Sequence, residues 1–225
     1  MFVAEFTLRA RDGRYLLVAG RRRVAAVRDV GVLLELLESR VHVSISRAAR
    51  GRLFVHAGVV GWQGRAIVIP GRTMKGKSTL VAALVRAEAE YYSDEFAVVD
   101  RSGLVWPYHK RLSLRRPGQW PARVVPEQLG GRAGHEPLPL GVVLVTSHAR
   151  GARWAPRWMS RAEAMMALFD NTVLARVRPQ FALATLRRAV ETCQAMQGPR
   201  GEARRAAPRI LEAITRAIES DGAAW

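Results

Sequence analysis

The chain has 225 residues, 49 % hydrophobic and 24 % charged, and this composition excludes a disordered or fibrous protein. No apolar run reaches the roughly 18 to 20 residues needed to span a bilayer. A single cysteine, Cys193, excludes an internal disulfide and a cysteine-rich metal site. We therefore expect a cytoplasmic globular protein with no membrane partner, either one generous domain or one domain with a small appendage.

The net charge of +17 at pH 7 suggests a nucleic-acid partner at first sight. Of the 36 basic residues, however, 33 are arginines spread along the whole chain, and only Lys75, Lys77 and Lys110 are lysines. We interpret most of the charge as solvated surface, so a nucleic-acid partner is disfavoured. The charge also fits an acidic partner, which could be a phosphate, an acidic peptide or, less favoured, nucleic acid. Three short basic clusters stand out, at 21–23, at 115–116 and in PRGEARRAAPR at 199–209.

The first 28 residues alternate in hydropathy and contain turn signals at Asp12-Gly13 and Gly20, which predicts two or three antiparallel strands. VGVLLELLESRV at 30–41 has apolar residues at helical spacing and predicts a short buried helix. We expect residues 1–50 to form a small β-rich lobe packed on the rest of the chain.

From residue 51 to residue 225, strands and helices are mixed along one span, which predicts a single α/β domain. Two strands share residues 53–71 around a turn at 61–64, and a strong helix follows at 78–90. YYSDEFAVVD at 91–100 is typical of a strand, an acidic break and a second strand. The remaining predicted elements are strands at 111–115 and 141–147, an irregular segment at 117–139, a helix after the Ser160–Glu163 capping box, and helices at 178–196 and 204–220.

Residues 71–78, GRTMKGKS, satisfy the pattern G-x-x-x-x-G-K-[ST] between a predicted strand and a predicted helix. In such a loop the glycines let N–H groups point at phosphate oxygens, the lysine reaches the terminal phosphates, and the hydroxyl binds Mg²⁺. The pattern alone also fits an ordinary basic turn, but its flanking elements favour a nucleotide. We predict that the nucleotide is bound by Gly71, Arg72, Thr73, Met74, Lys75, Gly76, Lys77, Ser78 and Thr79.

An acidic pair, Asp94-Glu95, lies sixteen residues beyond Ser78, at the end of the next predicted strand. The strand after a phosphate-loop helix often lies beside the strand before it, so we expect this pair near the phosphates. Phosphoryl transfer needs one carboxylate for Mg²⁺ and another to position or deprotonate the attacking hydroxyl. The alternative is a solvated acidic turn.

The order of these segments resembles that of the HPr kinase/phosphorylase family and its broader group of HPr-kinase-related serine kinases. The resemblance rests on FVHAGVV, AIVIPGRTMKGKSTLVAALV, YYSDEFAVVD and PYHKRLSLR, within residues 30–115. It implies a P-loop-containing HPr kinase/PEP carboxykinase-like domain, with a mixed β-sheet and flanking helices, that uses ATP and Mg²⁺.

The resemblance also implies roles for individual residues. Asp94 would be the general base for a substrate hydroxyl, and Lys77 would contact the nucleotide phosphates. His56 would lie near the transferred phosphate, although a histidine on an apolar strand is more often a hydrogen-bonded core residue. Ser78 and Glu95 would bind the metal.

The chain departs from the family pattern at several positions. Met74 stands where a glycine is usual, Thr79 replaces a glutamate, and Glu95 replaces a second aspartate. The C-terminal signature tied to dephosphorylation has no counterpart, which argues against HPr itself as substrate and against phosphorolysis. Short relatives of this kind include kinases of lasso-peptide precursors.

These observations predict an ATP- and Mg²⁺-dependent kinase for a serine-type hydroxyl on a peptide or small protein. Arg115 and Arg116 are candidates to contact phosphate or substrate, since arginine suits bidentate phosphate contacts. A kinase for a small-molecule hydroxyl and a non-catalytic nucleotide-binding or nucleic-acid-binding module remain as alternatives. Members of the family are often oligomeric, so a homo-oligomer also stays open.

Overall fold

The structure is a computed structural model that describes residues 5–71, 76–114, 122–173 and 175–222. The chain divides into two compact units, Met1–Arg50 and Gly51–Trp225. No helix in the described ranges combines the length and the apolar character needed to cross a membrane.

The N-terminal unit is an antiparallel three-stranded sheet followed by one helix. The strands are β1 (Phe6–Arg11), β2 (Arg14–Ala19) and β3 (Arg22–Val27), in that spatial order, and the helix is α1 (Val30–Ala48). The strands confirm the predicted hairpins. The prediction of a short buried helix was wrong, because α1 has 19 residues and buries only Leu33 and Ser46. Its apolar residues extend around the helix, so they do not form one buried stripe.

The second unit contains ten strands, four α-helices and one short 3₁₀ helix within the described residues. The strands are β4 (Arg52–Trp62), β5 (Arg65–Pro70), β6 (Glu90–Ser93), β7 (Phe96–Asp100), β8 (Leu104–Trp106), β9 (Leu112–Leu114), β10 (Ala122–Val124), β11 (Leu138–His148), β12 (Arg157–Trp158) and β13 (Gln194–Arg200). The α-helices are α2 (Lys77–Arg86), α3 (Arg161–Phe169), α4 (Pro179–Ala189) and α5 (Ala203–Gly222), and the 3₁₀ helix is Pro126–Leu129.

The main sheet is mixed and has the order β12-β13-β11-β5-β4-β7-β8, with β6 also paired to β4. Strand β11 runs parallel to both β5 and β13, whereas β4 is antiparallel to β5, β6 and β7. Strands β9 and β10 form a separate two-stranded sheet. Sheet and helices together confirm the predicted α/β class with a mixed sheet.

Helices cover both faces of the main sheet because its strands bury side chains on both sides. Along β5, Ile67 and Ile69 belong to the core under α2 and α5, while Ala66 and Val68 belong to the core that α3 and α4 cover. This alternation is the two-residue period of a strand. Strand β5 is thus buried on both faces, which fixes the start of the loop that follows it.

Three sequence predictions about the path of the chain need correction. Strands β6 and β7 pair with β4 and not with β5, so the acidic pair reaches the loop through an intervening strand. The segment 117–139, expected to be irregular, contains β10 and the 3₁₀ helix. The helix predicted at 178–196 ends at Ala189, because residues 194–200 pair with β11 instead. This pairing overrides local helix propensity.

Of two local signals in the second half of the chain, the capping box behaves as its sequence suggests and the proline does not. The Ser160 hydroxyl accepts from the Glu163 N–H at 3.2 Å, and a Glu163 carboxylate oxygen accepts from the Ser160 N–H at 2.8 Å, so α3 starts at the predicted capping box. Pro208 was expected to interrupt or begin the last helix, and that prediction was wrong, because Pro208 lies inside α5, which starts at Ala203.

Asp100 fastens the start of β4 to the end of β7. Its carboxylate accepts hydrogen bonds from the Trp106 indole N–H at 2.6 Å and from the N–H and hydroxyl of Ser102, and it pairs with Arg52 at 3.0 Å. Burial raises the pKa of Asp100, but the hydrogen bonds outweigh that effect and lower the pKa to about 2. The ionised form therefore stabilises the fold.

Candidate active site

The phosphate-loop pattern lies between β5 and α2, as the sequence predicted. Strand β5 ends at Pro70, and α2 begins at Lys77 after Gly76, whose φ of 75° is in the left-handed region that favours glycine. Gly76 supplies no side-chain cap, and the first turn of α2 contains no acidic residue. The start of α2, where the positive end of the helix dipole lies, is therefore a position that favours an anion.

The Lys77 side chain reaches back to Gly71, the residue that follows β5. Its ammonium group donates to the Gly71 carbonyl at 2.6 Å, and the side chain is half-buried. Burial lowers the pKa of Lys77, while the negative charges of Glu95 and Asp94 oppose that shift. The lysine and the acidic pair thus share one electrostatic environment.

Strand β4 connects the loop to the acidic pair through its backbone at His56 and Ala57. The Gly71 N–H donates to the His56 carbonyl at 3.2 Å on one side of β4. On the other side the Ala57 N–H donates to the Glu95 carbonyl at 3.1 Å. Strand β4, which precedes both in sequence, therefore fixes the spacing between Gly71 and the acidic pair.

Asp94 is a buried carboxylate, with 4 % of the residue exposed. One carboxylate oxygen accepts from the Ser113 N–H at 3.1 Å, and the other lies 3.4 Å from the Tyr91 hydroxyl. That hydroxyl also donates to the Lys110 carbonyl at 2.7 Å. Burial and the Asp94 charge raise the pKa of Tyr91, so its hydroxyl remains a donor.

Glu95 is more accessible than its neighbour, with 31 % of its side chain exposed. One carboxylate oxygen lies 3.1 Å from the Lys110 ammonium group and the other 3.8 Å from His56 Nδ1. The His56 ring packs on Phe96 with centroids 4.5 Å apart. The Ser93 hydroxyl accepts from the N–H groups of Glu95 and Phe96 and so shapes the break between β6 and β7.

The structure brings several predicted site residues to one place and leaves others apart. Lys77, Asp94, Glu95 and His56 are linked by the contacts above. Ser78 is half-buried and Thr79 exposed in the first turn of α2, and no hydrogen bond joins Ser78 to a described carboxylate. Six predicted residues lie outside the described ranges: Arg72, Thr73, Met74, Lys75, Arg115 and Arg116.

Arg200, which sequence reasoning did not assign to the site, supports the loop from the end of β13. It is 3 % exposed and donates to the Gly76 carbonyl at 2.9 Å and to the Gly201 carbonyl at 3.0 Å. It forms no ion pair with a described carboxylate. Burial lowers the pKa of Arg200, and the charge of Glu202 opposes this only in part.

Lys110 and Tyr91 were also missed, although one signal for Lys110 was present. In a chain with 33 arginines, a lysine is rare, and two of the three lysines, Lys77 and Lys110, lie at this site. Lysine is a compact point charge that arginine does not replace. Tyr91 gave no comparable signal, because an aromatic residue on a strand more often fills the core.

A cavity of about 920 Å³ adjoins the loop at the carboxyl ends of the parallel strands β5, β11 and β13. Its walls include Pro70 and Gly71, the ends of the other two strands, and the turns after α3. One of those turns is held to β4, because the His56 N–H donates to the Asn171 carbonyl at 2.7 Å. Ligands of open α/β sheets commonly bind at this edge.

The chain is distantly similar in structure to the solved Hpr(Ser) kinase/phosphatase from Coxiella burnetii. The match covers 75 % of this chain and 97 % of that one, with 12 % sequence identity and a TM-score of 0.39. No protein-family model matches the chain, and no curated protein matches its sequence. Because so distant a likeness carries no argument about activity, the function is inferred from the residues of this chain.

Proposed function

We propose that the protein is a kinase that transfers the γ-phosphoryl group of ATP to a serine-type hydroxyl of a peptide or small protein. The observation that carries the proposal is the position of Lys77. It stands at the start of α2, directly after the N-cap residue Gly76, and in the field of both Asp94 and Glu95. Such a site can hold phosphate oxygens beside carboxylates that handle a proton and a cation.

The nucleotide phosphates would be held at the start of α2. An α-helix leaves the N–H groups of its first turn without intrahelical acceptors, so phosphate oxygens would be held at Lys77, Ser78 and Thr79. The Lys77 ammonium group, which donates to the Gly71 carbonyl at 2.6 Å, would turn to the terminal phosphates when these bind. Arg200 would hold the Gly76 carbonyl and so position the first turn of the helix.

The residues present fit a Mg²⁺ ion that is bound largely through the nucleotide. Within the described residues, no cluster of three or more His, Cys, Asp or Glu side chains could hold a metal ion. Mg²⁺ in phosphoryl-transfer sites needs fewer protein ligands, because phosphate oxygens and waters complete its coordination. Ser78 and Glu95 would hold it, and its chemistry there would be to neutralise charge on the transferred phosphate.

Asp94 would accept the proton of the attacking hydroxyl. Its contacts with Ser113 and Tyr91 fix the carboxylate, and the longer of the two, 3.4 Å to the Tyr91 hydroxyl, is the one that a substrate hydroxyl would replace. Lys110 and His56 lie on either side of Glu95 and would orient that carboxylate. Positioning and charge neutralisation supply most of the rate in such chemistry.

A small-molecule acceptor is the second candidate, and the cavity beside the loop is the observation that favours it. Its volume, about 920 Å³, falls within the usual range of small-ligand sites, roughly 300 to 1,000 Å³. If the acceptor is a peptide, the resemblance to kinases of lasso-peptide precursors makes the ribosomally made precursor of such a peptide the first acceptor to test.

The experiment is transfer of ³²P from [γ-³²P]ATP, with Mg²⁺, to serine-containing peptides and, separately, to small hydroxyl compounds. Asp94→Asn should lower transfer by about 100-fold or more, as expected for loss of a general base, while ATP still binds. Asp12→Asn makes the same change on an exposed turn of the N-terminal unit and should have no effect. Equal transfer by Asp94→Asn and wild type would contradict the role of Asp94.

A further inference from the structure

A second cavity, of about 850 Å³, lies between the segment after β11 and the start of α5. Its lining is dominated by arginine. The side chains that matter here are Arg150, Arg153, Trp154, Arg204, Arg205 and Arg209. We refer to it as the arginine cavity.

Among the described residues, the positive charges of the arginine cavity are not balanced by nearby carboxylates. All five arginines are exposed, and in the described part of the chain none of them forms an ion pair. The one acidic residue on its wall, Glu202, contacts His148 at 3.2 Å. Five like charges around one concavity repel each other and concentrate anions there.

Two uncharged features of the arginine cavity also suit an anion. Helix α5 begins at Ala203, between the lining residues Glu202 and Arg204, so the positive end of the helix dipole lies beside the cavity. The indole N–H of Trp154 is buried and has no hydrogen-bond partner among the described residues. Trp154 lines the cavity, and a buried polar group without a partner is uncommon in a folded protein.

The arginine cavity and the candidate active site are joined through Arg200. This residue donates to the Gly76 carbonyl at the start of α2 and to the carbonyl of Gly201, which lines the cavity. Both sites therefore lie at the edge of the sheet where β13 ends. A ligand that occupies the arginine cavity can extend to the phosphate loop in a few residues of extended chain.

We propose that the arginine cavity binds a carboxylate-rich segment of the peptide acceptor, next to the hydroxyl that is phosphorylated; this rests on the function proposed above. Arginine holds carboxylates through two parallel hydrogen bonds, which suits acidic side chains. Single-stranded nucleic acid needs aromatic rings on which bases stack. The aromatic residue of this cavity, Trp154, instead packs against the core beneath α2 and α5.

The test measures binding of a fluorescein-labelled, C-terminally amidated peptide of six glutamates that contains no hydroxyl residue. Fluorescence anisotropy is recorded without ATP for wild type, for Arg204→Gln/Arg205→Gln, and for the control Arg187→Gln/Arg188→Gln. The control pair removes the same charge from exposed positions in the last turn of α4. Circular dichroism checks that both variants are folded.

We expect the Arg204/Arg205 variant to bind the glutamate peptide about tenfold more weakly, while the control variant binds as wild type does. Equal weakening in both variants would overturn the proposal, because binding would then follow net charge alone. Tighter binding of a twelve-nucleotide oligouridylate that displaces the peptide would overturn it too, in favour of a nucleic-acid surface.

The peptide probe separates this proposal from the proposed function, because it neither accepts phosphate nor requires ATP. Site-dependent peptide binding without any phosphoryl transfer would refute the kinase and leave the acidic-ligand site standing. If transfer occurs, the Arg204/Arg205 variant should raise KM for an acidic acceptor peptide and not for its glutamine counterpart. The same KM increase for both peptides would overturn the arginine-cavity proposal alone.

Discussion

Arg200→Met tests whether a buried cation fixes the phosphate loop. The substitution keeps most of the side-chain volume but removes the hydrogen bonds to the Gly76 and Gly201 carbonyls, at 2.9 and 3.0 Å. A hydrogen bond from a charged group contributes about 1.5 to 3 kcal/mol. Against this loss, the variant no longer buries a guanidinium that has no described carboxylate partner, which offsets part of the destabilisation.

The two effects predict different outcomes for stability and for nucleotide binding. The free energy of unfolding without ligand should fall by no more than about 2 kcal/mol, because the lost hydrogen bonds and the relieved burial oppose each other. ATP affinity should fall by about tenfold to hundredfold, since the bond to Gly76 that positions the first turn of α2 is lost without compensation.

The assays are urea unfolding without nucleotide and calorimetric titration with ATP and Mg²⁺. Arg187→Met, an exposed arginine on α4, is the matched control and should change neither quantity. Arg200→Lys keeps the charge but not the two-pronged contact, and should recover only part of the affinity. Unchanged ATP affinity in Arg200→Met, with a large loss of stability, would show that Arg200 is a purely structural residue and does not position the first turn of α2.

Three further predictions concern the framework around the site. Tyr91→Phe leaves the Lys110 carbonyl without its hydroxyl donor and should destabilise the protein by about 1 to 3 kcal/mol in urea; an unchanged midpoint would contradict that. The pKa of Asp100 in the fold, about 2, lies below its ordinary 3.8, so its stabilising charge is fully present above pH 3.8 and is lost as pH falls towards 2. Asp100→Asn should therefore have a lower Tm than wild type at pH 7, and this difference in Tm should become smaller in acid. A difference in Tm that stays constant from pH 7 to pH 2.5 would contradict this prediction. In Gly134→Ala the new Cβ would lie 2.0 Å from a Tyr92 ring carbon, so Tm should fall by the equivalent of about 1 to 3 kcal/mol; an equal Tm would show that the ring yields freely.

Features set by local chemistry could be predicted from the sequence. The Ser160–Glu163 capping box marks the start of α3 because its two hydrogen bonds form within one turn. The strand, loop and helix around Gly71 and Gly76 likewise follow from local spacing and hydropathy. In each case the residues that determine the local structure lie close in sequence to the feature that they form.

Features set by long-range pairing could not be predicted in the same way. Residues 194–196 join the sheet because β11 offers a parallel edge 52 positions earlier in the chain, a partner that local periodicity does not reveal. Arg200 reaches Gly76 across 124 positions in sequence. The role of β4 as the bridge between loop and acidic pair is of the same kind, since both neighbours follow it in the chain.

The most direct test of the central claim is a crystal structure with a non-hydrolysable ATP analogue and Mg²⁺, in which the distance from the γ-phosphorus to the nearer Asp94 carboxylate oxygen is measured. We expect the γ-phosphate to lie at the start of α2, with this distance no more than about 6.5 Å, so that one acceptor hydroxyl fits between the two. A γ-phosphate bound elsewhere, or more than about 10 Å from Asp94, would contradict the claim that the loop and this carboxylate serve one reaction.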